Sequence, residues 1–422
     1  MQAAVKRPAR LEGEARVPGD KSISHRALIL NAIAKGRAQV RGLSTGADVR
    51  SSADCLRELG VEIEGTSVCG VGMRGLRVPL GPLDCGNSGT TMRLLAGLLA
   101  AQDFETVLTG DESLAARPMD RVVEPLKMMG ARAQTHPLVV GGGGPLVGVE
   151  HRLPVTSAQV KSALLLAGLY AEGETRVIEP VATRNHTETM LQAMGAPVSI
   201  HFAAATVKIR RARRLRPLHL TVPGDLSAAV FWLVAAGLHP AAHINLPGIG
   251  LNPSRAQVLD LLQDRIGIRV RGSRQRTEGG EAVADLDVGT ASGLRAFELC
   301  APWTAWLIDE LPALAVAATQ LPGRSRITEA AELRVKESDR IAAMAAGLRA
   351  MGARVRELED GWEIDGPTRL QGAKVSSLGD HRVAMALAVA GLLAEGETVI
   401  EGAESAAISY PGFWDDLERL CR

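Results

Sequence analysis

One pattern recurs six times along the 422 residues, and it limits the possible folds more than any other feature of the sequence. Each copy runs from an Ala/Leu-rich helical stretch through a Gly turn and a short strand to a second helix, a second Gly and another strand. The first copy starts at Leu28 and ends at residues 60–63. The turns after the first helices fall near residues 36, 102, 173, 238, 323 and 396, roughly 70 residues apart. Such units are too long for a solenoid, so we predict an α/β fold of two domains with three units each.

The composition excludes several other classes of chain. Apolar residues make up 46% and charged residues 23%, which rules out a disordered, strongly charged chain. The 48 basic and 47 acidic side chains leave a net charge of +1, whereas a nucleic-acid binder with a broad basic face carries a large positive excess. The longest apolar runs, such as residues 384–394, are about eleven residues long, short of the 18 or more that span a bilayer.

The N-terminus has no apolar signal region, so we expect a cytoplasmic protein without a membrane partner. The five cysteines form no C-x-x-C pair, and the nine histidines form no H-E-x-x-H motif. We therefore expect no disulfide framework, no metal and no cofactor. Only eight of the 48 basic residues are lysines. Because Lys and Arg differ in geometry and in pKa behaviour, a lysine retained in so Arg-rich a chain is more often needed as lysine.

Two loops in the first half have the composition of anion-binding sites. Residues 17–26 read VPGDKSISHR, in which Asp20 or Ser22 could cap the following helix. Lys21, Ser22 and Arg26 would then lie beside the free backbone N–H groups of the first turn. Residues 84–93 read DCGNSGTTMR, a Gly-rich loop that lets a backbone approach an anion closely. This loop is not a P-loop, and a simple helix cap is the alternative interpretation of both.

Three other loops add polar groups. Arg117 precedes Pro118 and is biased to an extended conformation. Ser157 and Gln159 open the helix of the third unit, where they could bind a polyol or phosphate or cap the helix. Arg382 follows Asp380 at the start of the sixth unit's helix, with a cap as the simpler role of Asp380.

Two acidic motifs in the fifth unit carry the strongest chemical indication. Residues 308–312 read IDELP and residues 333–340 read LRVKESDR. The second motif predicts the start of a helix with Lys336 and Arg340 on one face, four residues apart. Glu337 lies between these cations, and Asp309 supplies a second carboxylate. Paired carboxyls beside cations suit acid/base chemistry on an anionic substrate, although a solvated charged face is the usual meaning of such a run. The motifs of both halves together predict a cleft that holds a substrate with several negative charges.

With these motifs, the chain resembles the family of 5-enolpyruvylshikimate-3-phosphate synthases, which are 3-phosphoshikimate 1-carboxyvinyltransferases. The resemblance covers essentially the whole chain, and its seven motifs occur in order. They are PGDKSISHR at 18–26, GNSGTTMR at 86–93, ARPM at 116–119, SAQVKSA at 157–163, DELP at 309–312, ELRVKESDR at 332–340 and DHRVAM at 380–385.

The resemblance implies a two-domain inside-out α/β barrel, in which each domain has three βαβαββ units with helices inside and sheets outside. It implies that the chain crosses twice between the domains. One domain would contain residues 1–17 and 224–422, closed by the N-terminal strand. The other would contain residues 18–223 and most of the shikimate 3-phosphate site.

The resemblance also implies an activity without a metal or cofactor. The enolpyruvyl group of phosphoenolpyruvate would pass to the 5-hydroxyl of shikimate 3-phosphate by addition and elimination, with release of phosphate. This is a step towards chorismate and the aromatic amino acids. The two small-molecule substrates are the expected partners, and the protein is expected to act as a monomer.

The family's residue roles carry over by motif. Asp309 is implied as the base towards the 5-hydroxyl, Glu337 as the proton donor to the methylene carbon, and Lys21 as a contact of both substrates. The implied shikimate 3-phosphate site comprises Lys21, Ser22, Arg26, Ser157, Gln159, Asp309 and Lys336. The implied phosphoenolpyruvate site comprises Lys21, Asn87, Gly89, Arg117, Gln159, Arg340 and Arg382. Gly89 is the small residue associated with sensitivity to the inhibitor glyphosate, which we therefore expect.

Some positions depart from the family pattern. Ile408 stands where some members have a lysine, so that phosphate contact is missing or supplied elsewhere. Ala47-Asp48 replaces an Asp-Asp pair, and Thr183-Arg184 stands where a serine is common. Two functions are alternatives to enolpyruvyl transfer to shikimate 3-phosphate. A UDP-N-acetylglucosamine enolpyruvyl transferase would share the fold, but such enzymes typically lack the D-K-S-x-S-H-R motif and often have a reactive cysteine in the loop that here contains Arg117 and no cysteine. A non-catalytic sugar-phosphate binder is the second alternative, against which the intact Asp309, Glu337 and Lys21 argue.

Overall fold

The computed structural model describes residues 1–421, and its elements alternate between short strands and helices throughout. The strands are β1 (Gln2–Lys6), β2 (Leu11–Glu14), β3 (Lys35–Arg41), β4 (Glu62–Glu64), β5 (Ser67–Val71), β6 (Leu83–Asp84), β7 (Glu105–Thr109), β8 (Ala133–Thr135), β9 (Leu138–Gly141), β10 (Glu150–Arg152), β11 (Glu174–Ile178), β12 (Val198–His201), β13 (Thr206–Arg210), β14 (Leu220–Thr221), β15 (Ala242–Gly250), β16 (Val270–Glu278), β17 (Glu281–Gly289), β18 (Glu298–Leu299), β19 (Gly323–Ile327), β20 (Arg354–Leu358), β21 (Gly361–Gly366), β22 (Lys374–Ser376) and β23 (Glu397–Glu401).

The helices are α1 (Lys21–Ala32), α2 (Ala47–Glu58), α3 (Gly89–Leu99), α4 (Glu112–Ala115), α5 (Asp120–Met128), α6 (Ala158–Gly168), α7 (His186–Ala193), α8 (Leu226–Leu238), α9 (Gln257–Asp260), α10 (Trp303–Trp306), α11 (Leu311–Ala318), α12 (Arg340–Ala350), α13 (His381–Leu393) and α14 (Phe413–Leu420). Short 3-10 segments occur at Phe202–Ala204, Ala331–Val335 and Ala403–Ile408, and a π-helical turn at Leu261–Ile266.

Five four-stranded sheets follow one plan, and a sixth sheet has three strands of the same plan, which confirms the predicted α/β fold with six repeats. In the second of the six sequence repeats, β6 and β7 come before and after α3 in sequence and pair in parallel, and an antiparallel hairpin of β8 and β9 completes the sheet. The fifth repeat has the same strand order, with β18, β19, β21 and β20. Glycines in the left-handed region end the helices at matching places, for example Gly130 (φ 92°) and Gly352 (φ 88°).

The helices after each first strand are buried on all sides. All eleven residues of α3 and all thirteen of α13 are buried, so neither helix shows the polar stripe of a surface helix. Glycine lets two of these helices meet backbone to backbone: a Cβ at Gly97 of α3 would lie 2.2 Å from the Ala163 carbonyl oxygen of α6. Burial of whole helices under sheets is the inside-out arrangement that the resemblance implied.

The chain separates into two compact units, each with its own apolar core. Unit 1 contains residues Met1–Pro18, Pro223–Thr277 and those from Ala282 onward, and unit 2 contains Gly19–Val222 and Glu278–Glu281. Helices α1, α3 and α6 form the core of unit 2, and α8, α11 and α13 that of unit 1.

Three strands pair with partners that are distant in the sequence. β2 precedes α1 in sequence, yet it pairs in parallel with β15 of unit 1 (Ala242 opposite Leu11). β14 precedes α8, yet it pairs in parallel with β3 of unit 2 (Leu220 opposite Val40). β1 pairs antiparallel with β23 and is the third strand of the sixth sheet, to which the C-terminal segment contributes β22 and β23.

Within residues 1–421, no helix is both long enough and apolar enough to cross a membrane.

Candidate active site

The first turn of α1 presents the predicted anion-binding group of unit 2. Asp20 caps the helix, because its Oδ1 accepts a hydrogen bond of 2.8 Å from the Ile23 N–H. The Lys21 ammonium lies 3.0 Å from Asp48 Oδ2, and the Lys21 side chain is 17% exposed. Asp48 is not among the site residues that the family's motifs imply. It nevertheless holds Lys21, the predicted contact of both substrates, in place.

Arg26 lies one turn further along α1 and is held from three directions. Its Nη1 donates to the Ser22 carbonyl oxygen at 2.9 Å, its Nε to Thr187 Oγ1 at 2.6 Å and its Nη2 to Ser162 Oγ at 2.8 Å. Burial lowers the pKa of Arg26 to about 10, although the nearby Glu188 opposes this shift. The guanidinium is thus a fixed, desolvated cation, which suits a phosphate or carboxylate partner.

Arg184 joins this group although the motifs did not assign it. Its Nη1 donates to Ser22 Oγ at 3.2 Å. The only sequence signal was the departure from the serine that is common at Thr183-Arg184. The structure therefore brings a second guanidinium to Ser22: Arg26 donates to its carbonyl oxygen and Arg184 to its hydroxyl.

The Gly-rich loop and the Arg117 loop meet in unit 2. Asn87 Nδ2 donates to Asp111 Oδ2 at 2.7 Å, and Arg117 Nη2 donates to Asn87 Oδ1 at 2.5 Å. Gly89 begins α3, and a Cβ there would lie 2.9 Å from Arg93 Nη1 and 3.2 Å from Arg117 Nη1. The absence of a side chain at Gly89 therefore leaves room for two guanidinium groups beside the N-terminus of α3.

The first turn of α6 contacts the same region. Gln159 Oε1 accepts a hydrogen bond from Arg93, and its Nε2 donates to Thr90 Oγ1 at 2.9 Å. Ser157 caps α6 through its hydroxyl, which accepts from the Val160 N–H at 3.4 Å. Capping, which the sequence left open for Ser157, is thus its observed role.

Arg340 is the centre of the predicted residues in unit 1. Its Nη2 lies 2.7 Å from Glu337 Oε2, its Nε 2.8 Å from Asp380 Oδ2 and its Nη1 3.6 Å from Asp309 Oδ1. The Arg340 side chain is 2% exposed, whereas Asp309 and Glu337 are 22% and 15% exposed. Burial lowers the pKa of Arg340, but the carboxylates outweigh this and raise it. A permanent cation therefore holds two partly accessible carboxyl groups.

Lys336 does not share a helix face with Arg340, contrary to the sequence-based expectation. Asp339 caps α12 by accepting from the Ala342 N–H at 3.0 Å, so the helix begins only at Arg340. Lys336 has an extended backbone and pairs with Glu332 at 3.5 Å. Burial lowers the pKa of Lys336 below its ordinary value, against the attraction of Glu332 and Asp309.

Asp380 links the last motif to this group. Its Oδ1 accepts from the Arg382 N–H at 2.8 Å and caps α13, while its Oδ2 accepts from Arg340. Arg382 thus lies in the first turn of a buried helix, where the positive end of the helix dipole adds to its charge. Among residues 1–421, no group of three or more His, Cys, Asp or Glu side chains is arranged to hold a metal ion.

Comparisons with known proteins agree with the motifs and the fold. The model of the EPSP synthase (3-phosphoshikimate 1-carboxyvinyltransferase) family matches residues 5–417. A 3-phosphoshikimate 1-carboxyvinyltransferase of Halorhodospira halophila is 52% identical over 420 residues, which are 97% of this chain and 94% of the relative. One of Herpetosiphon aurantiacus is 49% identical over 100% of this chain and 99% of the relative. The structure of EPSP synthase from Acinetobacter baumannii superposes with a TM-score of 0.88 at 40% identity, covering 100% of this chain and 98% of that one.

A family match over nearly the whole chain, relatives of about half identity and a shared fold lead to one conclusion: the chain belongs to the EPSP synthase (3-phosphoshikimate 1-carboxyvinyltransferase) family.

Proposed function

We propose that the protein transfers the enolpyruvyl (carboxyvinyl) group of phosphoenolpyruvate to the 5-hydroxyl of shikimate 3-phosphate and releases phosphate. The reaction forms the C–O bond between the 5-hydroxyl oxygen and C2 of phosphoenolpyruvate, and it later breaks the C–O bond to phosphate. We further propose that a single chain carries out this reaction in the cytoplasm.

The residues of α1 and α6 are proposed to recognise shikimate 3-phosphate. Ser22, Arg26, Ser157 and Gln159 would bind its phosphate and hydroxyl groups, with Lys21 and Lys336 adding charge. The support lies in the fixed Arg26 guanidinium and in the Arg184 contact with Ser22 Oγ at 3.2 Å. Fixed donors recognise a dianion without the entropic cost of ordering them on binding.

The residues around Gly89 and Arg340 are proposed to recognise phosphoenolpyruvate. The proposed residues are Asn87, Gly89, Arg117, Gln159, Arg340 and Arg382, with Lys21 as a contact of both substrates. Phosphoenolpyruvate has a phosphate and a carboxylate, and planar guanidinium groups bind both kinds of anion through paired hydrogen bonds.

Asp309 and Glu337 are proposed to exchange protons with the substrates. Asp309 would accept the proton of the 5-hydroxyl as it attacks C2, and Glu337 would donate a proton to the methylene carbon. The tetrahedral adduct would then lose a proton from that carbon and eliminate phosphate. The carboxyl groups would also stabilise the positive charge that develops at C2.

The observation that carries this proposal is the Arg340 guanidinium, which lies 2.7 Å from Glu337 and 3.6 Å from Asp309. A phosphoenolpyruvate anion bound at Arg340 would compete for the same N–H groups. It would thereby reach both proton-transfer groups while loosening the hold of Arg340 on Glu337.

Phosphate release tests the proposal. The protein is incubated with phosphoenolpyruvate and shikimate 3-phosphate, and separately with phosphoenolpyruvate and UDP-N-acetylglucosamine. We expect release, together with a carboxyvinyl product detected by mass, only with shikimate 3-phosphate. Release with the UDP-sugar alone would indicate the sister transferase, and binding of shikimate 3-phosphate without any release would indicate a non-catalytic protein.

A further inference from the structure

A charged triad of unit 2 is almost completely enclosed. The Lys161 ammonium on α6 lies 2.8 Å from Glu179 Oε2 and 2.9 Å from Glu188 Oε1. The three side chains are exposed by no more than 2%. Burial lowers the pKa of Lys161, but the two carboxylates outweigh this effect and raise it. The ammonium therefore stays charged at neutral pH.

Such an arrangement is weak evidence for stability. Desolvation of three charges offsets most of their mutual attraction, and apolar side chains of similar volume often stabilise a protein equally well. What the triad does provide is a fixed position for each of its members. The function of the triad therefore depends on which residues Lys161, Glu179 and Glu188 keep in place.

Glu179 and Lys161 hold the segment that ends in Arg184. Glu179 Oε2 accepts from the Thr183 N–H at 3.2 Å, and Glu179 Oε1 accepts from the Thr183 hydroxyl. Lys161 itself donates to the Thr183 carbonyl oxygen at 3.4 Å. Thr183 is thus bound at its N–H, its hydroxyl and its carbonyl, and the next residue is the Arg184 that donates to Ser22 Oγ.

Glu188 holds the other side of the same group. It lies on α7 next to Thr187, whose Oγ1 accepts from Arg26 Nε at 2.6 Å. Ser162, the neighbour of Lys161 on α6, contacts Thr187 at 2.8 Å and accepts from Arg26 Nη2. Each carboxylate of the triad is therefore separated by one hydrogen bond and one chain neighbour from a guanidinium that donates to Ser22.

We propose that Lys161 is a positioning residue for recognition of shikimate 3-phosphate: by tying Glu179 and Glu188 together, it sets the places of Arg184 and Arg26, which both donate hydrogen bonds to Ser22. The inference rests on the proposed function, because it deepens the role of the Ser22 and Arg26 site. Lys161 itself touches no substrate in this scheme. The Gly89 and Arg117 contacts do not depend on the triad.

The Lys161→Met variant tests this assignment through the separate Michaelis constants of the two substrates. We expect KM for shikimate 3-phosphate to rise about tenfold or more, which corresponds to about 1.4 kcal/mol of lost binding. We expect kcat and KM for phosphoenolpyruvate to stay within about twofold of wild type. A purely structural role would instead lower the fraction of active protein, which reduces kcat and leaves both Michaelis constants unchanged.

Two further variants keep the test decisive. Lys127→Met removes a lysine that pairs with Glu124 at 2.9 Å on the surface and is 46% exposed, and it should match wild type. Glu179→Gln keeps the side-chain shape and one acceptor for Thr183, so it preserves folding if Lys161→Met does not fold. Glu179→Gln should raise KM for shikimate 3-phosphate about threefold by loosening Arg184.

The inference and the proposed function fail in different ways. If wild type does not turn over shikimate 3-phosphate, the proposed function fails and this role of Lys161 fails with it. If wild type turns over both substrates while Lys161→Met and Glu179→Gln leave KM for shikimate 3-phosphate unchanged, only the positioning role of Lys161 is wrong. A parallel rise of both Michaelis constants would also overturn it.

Discussion

Arg340 Nη2 donates to Glu337 Oε2 at 2.7 Å, three residues earlier in the chain, and this contact joins the proposed proton donor to the proposed phosphoenolpyruvate site. Because α12 begins at Arg340, Glu337 lies in the loop before the helix and not on it. Asp380 holds the other side of the guanidinium at 2.8 Å. Arg340 is therefore a shared neighbour through which substrate binding and proton transfer affect each other.

Glu337→Gln removes the exchangeable carboxyl proton while keeping the side-chain shape and an acceptor for Arg340. We expect kcat to fall by about 10² to 10⁴, the usual contribution of a general acid or base, with both Michaelis constants within a few fold of wild type. Steady-state phosphate release measures the effect. Glu359→Gln, an exposed carboxyl in the same unit, serves as the control and should behave as wild type. A near-normal kcat for Glu337→Gln would show that the proton donor is another group.

Gly89→Ala places a methyl group 2.9 Å from Arg93 Nη1 and 3.2 Å from Arg117 Nη1. Both atoms are ends of flexible side chains, so the protein should fold while the two guanidinium groups move away. We expect KM for phosphoenolpyruvate to rise about tenfold and KM for shikimate 3-phosphate to change less than about twofold.

The same pair of proteins tests inhibition by glyphosate. We expect wild type to be inhibited at limiting phosphoenolpyruvate and Gly89→Ala to be inhibited more weakly. Gly81→Ala, where a Cβ meets no atom within 4 Å, is the matched control. Unchanged wild-type turnover in excess glyphosate would contradict the expected sensitivity.

Lys336 should give the affinity for shikimate 3-phosphate an alkaline limit. Its folded pKa lies below the ordinary value of 10.5, mainly through burial, so the ammonium loses its proton earlier than an exposed lysine as pH rises. The attraction for the substrate phosphate is thus present at low pH and is lost as pH rises through the lowered pKa. Arginine at this position remains charged, so Lys336→Arg should move the alkaline fall of kcat/KM for shikimate 3-phosphate to higher pH.

The control for this profile is Lys374→Arg, which changes a lysine that is 63% exposed and pairs with Glu401. Its profile should follow that of wild type. Because an arginine does not reproduce the geometry of Lys336, the position of the alkaline limb is compared and not the absolute rate. Superimposable limbs for wild type and Lys336→Arg would exclude Lys336 as the titrating group.

His25 should make unit 2 less stable in mild acid. Burial, followed by the charges of Lys21 and Arg26, lowers the pKa of His25 well below 6.5. Below pH 6.5 the unfolded chain therefore binds a proton at His25 that the folded chain does not bind. The free energy of unfolding then falls by up to about 1.4 kcal/mol per pH unit. Above pH 6.5 His25 is neutral in both the folded and the unfolded chain, so this loss of stability does not occur.

Urea unfolding of wild type and His25→Asn between pH 7.5 and 5.5 measures this loss. The asparagine side chain of this variant keeps a polar partner for Ser52 Oγ, which lies 2.7 Å from the histidine Nδ1, but it cannot take up the proton. The variant should lose less stability over this range than wild type. His136→Asn, an exposed histidine, should keep the wild-type slope. Equal slopes for wild type and His25→Asn would assign the acid sensitivity to other groups.

Local features were predictable from the sequence because they depend on neighbouring residues. Asp20 and Asp380 cap their helices as polar residues before apolar runs do, and glycines such as Gly130 and Gly352 end helices in the left-handed region. The repeat spacing of about 70 residues predicted the six sheets for the same reason, since each unit builds its sheet largely from its own strands.

Features that depend on distant residues were not predictable in this way. Charge spacing predicted one helix face for Lys336 and Arg340, but the Asp339 cap starts the helix later and separates them. The Lys161 triad joins residues 18 and 27 positions apart, and no local pattern marks Glu179 or Glu188 as its partners. Lys161 shared two sequence signals with Lys21 and Lys336, the scarcity of lysine and a position inside one of the seven motifs, and neither signal indicated its partners.

Strand pairs between distant parts of the chain impose an order on the assembly of this fold during synthesis. β3 lacks its parallel neighbour until β14 has been made, so the first sheet stays open at one edge while about 180 further residues leave the ribosome. β1 is made roughly 390 residues before its partner β23. A chain interrupted at any point before residue 397 would therefore leave β1 without its partner strand, with edge groups that can pair with another chain.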